Sequence, residues 1–71
     1  MSPEKLAYMA NQIGRFFTTQ PGGKAAAGIE SHILKFWDVR MRKTLLDHLD
    51  EVPLDPPVRE ALEHLKQAQP S

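Results

Sequence analysis

The chain has 71 residues, no cysteine, and nine Lys/Arg balanced by nine Asp/Glu. At this length it makes one domain at most, and such a domain buries only about 60% of the surface its unfolded chain exposes, so its own core gives thin stability. The missing cysteines remove disulfides, thiolate zinc sites, cysteine-ligated iron–sulfur clusters and cysteine nucleophiles, and the zero net charge argues against binding by phosphate neutralisation.

The first helix is well signalled. Ser2 caps it, Pro3 fits its first position, and Glu4 complements the positive end of its dipole. Leu6, Met9, Ala10, Ile13, Phe16 and Phe17 recur at three- and four-residue steps and form one stripe, with Lys5, Asn11, Gln12 and Arg15 largely on the other side. Gln20-Pro21-Gly22-Gly23 stops the helix with a proline and a glycine turn.

A second helix is predicted from near Lys24 to about Phe36, with Ala25, Ala26, Ile29, Ile33 and Phe36 as its stripe. Gly28 inside it costs on the order of 1 kcal/mol against alanine, and a close packing contact would account for it. Asp38 reads as the cap of a third helix, which implies a bend at Trp37-Asp38. Met41, Leu45, Leu49 and Val52 make its stripe, widened by Leu46, and residues 50–54 form a short connection. Asp55-Pro56 opens a fourth, shorter helix carrying Val58, Ala61, Leu62 and Leu65. The expectation is all-α: a small bundle of about four short helices in one domain over residues 1–66, followed by a frayed polar tail at 67–71.

No apolar run approaches the roughly 20 residues that span a bilayer, and Met1 to Lys5 lacks the regions of a secretory signal. A soluble, cytoplasmic protein with no membrane partner is expected. Its thin core leaves a partner surface as the remedy, since small scaffolds are otherwise reinforced by disulfides or a metal.

Few residues suggest chemistry. His32, His48 and His64 fall on three different helices with no local pairing, so solvent-facing positions are expected rather than metal ligation. The carboxylates at Asp47 and Asp50, and at Glu60 and Glu63, have the spacing of a solvated helix face. Gly22-Gly23-Lys24 lacks the leading glycine, the following Ser/Thr and the preceding strand of a phosphate loop. No catalytic, cofactor-binding or metal residues are assigned.

The aromatic pairs Phe16-Phe17 and Phe36-Trp37 carry more information. Helix neighbours point about 100° apart, so both members of a pair seldom enter one small core. Phe17 suits either the core or a partner. Trp37, Arg40 and Arg42 are read as partner contacts, because tryptophan and arginine are enriched in interface hot spots and arginine bonds carboxylates bidentately. The bland alternatives are an aromatic cluster under the loops and an ordinary exposed helix face.

Lys5 to Phe17, Ala25-Ala26-Ala27-Gly28-Ile29 and Phe36-Trp37-Asp38-Val39-Arg40-Met41-Arg42, with the later Leu54-Asp55-Pro56 and Val58-Arg59-Glu60-Ala61, together resemble the delta subunit of NAD-dependent, molybdenum-containing formate dehydrogenases. The resemblance covers most of the chain in order. Val39 departs from it, standing where proline would be expected. What the resemblance implies is a non-catalytic accessory subunit that stabilises the complex or assists its assembly. The molybdenum cofactor, iron–sulfur clusters, flavin and NAD would belong to partner subunits, with the large molybdenum-bearing subunit as first partner and the flavin/iron–sulfur subunits as further candidates. A free-standing helical DNA-binding module is the rival reading, since short helices around a glycine turn also describe helix-turn-helix proteins. The absence of a basic excess counts against nucleic acid as a partner. A free-standing enzyme is the least supported.

Overall fold

Ser2 begins the first helix by accepting a hydrogen bond from the Lys5 amide at 3.2 Å, with Pro3 next in the chain. The computed structural model describes residues 1–20 and 22–68. It contains α1 (Pro3–Thr18), α2 (Ala25–Phe36), α3 (Val39–Leu46), a single 3-10 turn (Leu49–Glu51) and α4 (Pro56–Ala68). Among the described residues every regular element is helical, as the three- and four-residue spacings predict. None of these helices is long and apolar enough to cross a membrane.

The turn between α1 and α2 uses Gly22 (φ 116°) and Gly23 (φ 66°), backbone conformations that favour glycine. Pro21 lies outside the described residues. At the far end of α2 the helix breaks at Trp37, whose backbone is extended, and Asp38 restarts it by accepting from the Met41 amide at 2.8 Å. The bend forms where expected.

The core joins all four helices. Leu6, Ala7 and Ala10 from α1, Ile29 and Ile33 from α2, Leu45 and Leu46 from α3, and Val58, Ala61, Leu62 and Leu65 from α4 are buried together. The third helix is shorter than its stripe implies. It ends at Leu46, and the 3-10 turn carries Leu49 into the core, followed by Val52. His48 closes this end by placing Nδ1 2.8 Å from the Thr44 carbonyl oxygen. In α4 the expected stripe is the buried one, and the helix continues through Gln67 and Ala68, two residues into the stretch expected as a tail. Residues 69–71 of that tail lie outside the described residues.

Two contacts set how the helices lie. A Cβ added at Gly28 would come within 2.5 Å of the Phe17 ring, so the glycine in α2 is the seat of an aromatic side chain from α1. At Gly14 an added Cβ would run into Cγ2 of the fully buried Val58, so α1 and α4 approach through a second glycine. A polar bracket completes the arrangement. Asn11 donates from Nδ2 to the Pro53 carbonyl at 3.1 Å and accepts on Oδ1 from the Asp55 amide at 3.0 Å, fixing the segment that leads into α4.

Candidate functional site

The apolar stripe expected on α1 divides into two faces. At about 100° per residue, Leu6, Ala10 and Gly14 cluster on one side, while Phe16 lies about 160° from Gly14. Because Gly14 is held against Val58, the Leu6–Ala10–Gly14 side turns into the core and Phe16 is left 60% exposed. The expectation that Phe16 shares the buried stripe is corrected accordingly. Met9 and Ile13 lie between the two faces, half-buried.

These side chains line a groove of about 540 Å³ between α1, α2 and the α2–α3 break. Met9, Gln12, Ile13, Phe16 and Phe17 come from α1, His32 from α2, and Trp37 from the break. Phe17 and Trp37, both singled out in the sequence, are brought together here. Phe17 is half-buried against Gly28, edge-on to Phe16 with ring centroids 5.2 Å apart. Gln12 is steadied from the solvent side by the Tyr8 hydroxyl at 3.1 Å.

Trp37, read from the sequence as a partner contact, is only 6% exposed and belongs to the core cluster. Its amide still donates to the Ile33 carbonyl at 2.9 Å, which holds it one turn beyond Ile33 on the Ile29–Ile33 side of α2. The indole therefore forms the groove's floor, and Phe36, assigned to the buried stripe, is the member of the pair that is 64% exposed.

The two arginines are not equivalent. Arg40 is exposed near the start of α3. Arg42 is half-buried, and its Nε is shielded without a hydrogen-bond partner among the described residues. Neither lines the groove.

The sequence pattern does not mark His32 as part of this surface, and it assigns Phe36, which stands against His32, to the buried stripe. His32, expected to face solvent, is half-buried, 4.7 Å from the Phe36 ring and 6.1 Å from Phe17 between centroids. The Lys35 ammonium lies 5.6 Å above the Phe36 ring. The signal was available: His32 and Phe36 are four residues apart and share a helix face. The other histidines stand elsewhere. His48 serves the end of α3, and His64 on α4 approaches Glu30 on α2 at 2.7 Å. Among the described residues no three His, Asp or Glu side chains converge in a way that could hold a metal ion.

The site is thus an open aromatic groove, suited to receiving apolar side chains. No curated protein and no solved structure matches the chain. A family profile does match, that of the "NADH-dependant formate dehydrogenase delta subunit FdsD", over residues 5–62. That span takes in all the groove residues and the whole core except Leu65, and the chain therefore belongs to the formate dehydrogenase delta subunit family.

Proposed function

We propose that the chain is a non-catalytic accessory subunit of a cytoplasmic NAD-dependent formate dehydrogenase, docking onto the cofactor-bearing subunits and stabilising them or assisting their assembly. The observation that carries this reading is the groove: exposed Phe16 lines it over a Trp37 floor, and exposed Phe36 stands against its His32 side at 4.7 Å between ring centroids. Exposed aromatics grouped around a cleft mark a protein contact more readily than a solvated surface. Phe17 and Trp37 supply the wall and floor of the proposed contact, while Arg40 and the shielded Arg42 offer guanidinium groups to partner carboxylates. The molybdenum cofactor, clusters, flavin and NAD site belong, in this reading, to the partners, with the large molybdenum-bearing subunit as the first of them.

The test is co-purification of the tagged full chain with the large subunit, alongside formate oxidation and molybdenum content of complexes assembled with and without it. The expected result is stoichiometric retention of the chain and lower molybdenum occupancy or complex stability in its absence. A chain that fails to bind any formate dehydrogenase subunit, or that alone retains stoichiometric molybdenum, iron or flavin, overturns the reading.

A further inference from the structure

Zero net charge conceals a polarised chain. Residues 1–46 carry seven Lys/Arg against three Asp/Glu, and residues 47–71 carry two against six. The acidic helix α4, with Glu60 and Glu63, lies away from the groove. On α2, Glu30 points to α4, where it meets His64, whereas His32 faces the groove. At about 100° per residue these two positions are about 160° apart, so α4 and the groove occupy nearly opposite sides of α2. No residue of α4 lines the groove.

The charges on the elements that build the groove are mostly positive. Lys5 and Arg15 lie on the exposed side of α1, Lys35 lies over Phe36, and exposed Arg40 follows the Trp37 floor. Against them stand Glu4, Glu30 and Asp38, of which Glu30 is turned to His64 on α4 and the Asp38 carboxylate is occupied as the cap of α3. The groove is lined mostly by apolar side chains, and the elements that build it carry more basic than acidic residues.

Its length suits a helix. Seven residue steps from Met9 to Phe16 span about 10 Å at 1.5 Å per residue, the reach of two turns and of anchors spaced i, i+3 or i+4, and i+7. The walls are already formed: Phe17 is seated on Gly28 and Trp37 is fixed in the core, so little ordering remains to be done on binding. A second copy of this chain is a poor occupant. Its acidic side is α4, whose Val58, Ala61, Leu62 and Leu65 are all buried, leaving Glu60, Glu63 and other short or polar groups outside.

We infer that the groove receives an acidic amphipathic helix of a formate dehydrogenase partner subunit, apolar anchors entering between Phe16 and Trp37 and carboxylates meeting Lys35 and Arg40. The inference rests on the accessory-subunit reading, which names where the helix comes from. Opposite charge around an apolar contact raises the association rate and fixes the partner's orientation, and salt weakens it.

The experiment measures binding of the full chain to formate dehydrogenase purified without its delta subunit, by interferometry at low and high salt. Three double variants are compared with wild type: Phe16→Ser/Phe36→Ser, Lys35→Glu/Arg40→Glu and Glu60→Lys/Glu63→Lys. All six positions are exposed, and circular dichroism verifies that each variant folds. The first two pairs are expected to weaken binding by about tenfold or more, with the charge pair's effect shrinking at high salt, while the α4 pair binds as wild type. Hydrogen exchange on the partner is expected to protect a helix of net negative charge. Groove variants that bind as wild type, loss of binding from the α4 pair, or protection of a basic or extended segment overturns the inference and leaves the accessory-subunit reading standing. A dimer of this chain that the groove variants dissolve also overturns it, giving the groove to a second copy. Failure of the wild-type chain to bind at all removes both.

Discussion

Replacing Trp37 by alanine separates a side chain that builds the groove from one that only borders it. The indole is 6% exposed and lies in the cluster with Ile29, Ile33 and Leu45. Truncating a buried aromatic to alanine costs about 3–5 kcal/mol, from lost transfer energy and the cavity left behind. At about 0.05–0.15 kcal/mol per residue, a chain of 71 residues holds only about 4–11 kcal/mol in total. With each kcal/mol worth about 4–8 °C of Tm in a domain this small, Trp37→Ala should lower Tm by at least about 12 °C. Phe16→Ala is the control. That ring is 60% exposed, and full burial of a phenylalanine contributes about 1.5–3 kcal/mol, so the loss should stay near or below about 1 kcal/mol. Alanine's better helix propensity offsets part of it. Thermal melts by far-ultraviolet circular dichroism read both variants directly, and binding to delta-free formate dehydrogenase reads the second. A Trp37→Ala chain melting within about 4 °C of wild type, or a Phe16→Ala chain melting as low as Trp37→Ala, would refute the division between floor and rim.

Gly14→Ala sets helix propensity against packing. The gain is about 1 kcal/mol, but the new methyl meets the stiff, fully buried Val58, and overpacking costs about 1–3 kcal/mol; a net fall in Tm is expected, and a stabilised variant would show that α1 and α4 can separate at no cost. Asn11→Ala removes both bonds to the segment before α4 and should cost about 1–3 kcal/mol, read by melting and by faster amide exchange at Asp55; unchanged exchange there would count against the bracket. Asp38→Ala should cost about 1 kcal/mol and speed amide exchange at Met41, the amide its carboxylate caps, whereas unaltered protection there would mean that the cap contributes nothing.

Much of the fold was legible because its signals are local. Ser2-Pro3, Asp38 and the Gly22-Gly23 turn act within a few residues of themselves, and the α4 stripe is the buried one. The errors lie where a distant contact decides an orientation. Phe16 and Phe17 are equally apolar in sequence, and which of them turns outward is set by Val58 against Gly14, an approach between residues far apart in the chain. Asn11 reads as a solvent-facing residue because its partners lie 42 and 44 residues away. Trp37 is a different case. It lies one four-residue step beyond Ile33, yet its place at a bend ahead of two arginines reads as a partner contact. The bend exists, and the last hydrogen bond of α2 nevertheless keeps the indole inside.

The same tryptophan closes the core and floors the groove. A ligand that rests on it can therefore engage only the folded chain, and engagement at a hundredfold excess over Kd deepens the folded state by about 2.7 kcal/mol. Against a total of about 4–11 kcal/mol, that increment is a large fraction of the stability. Under the proposed docking, a copy without its partner would spend a greater fraction of its time unfolded and open to proteolysis than a bound one.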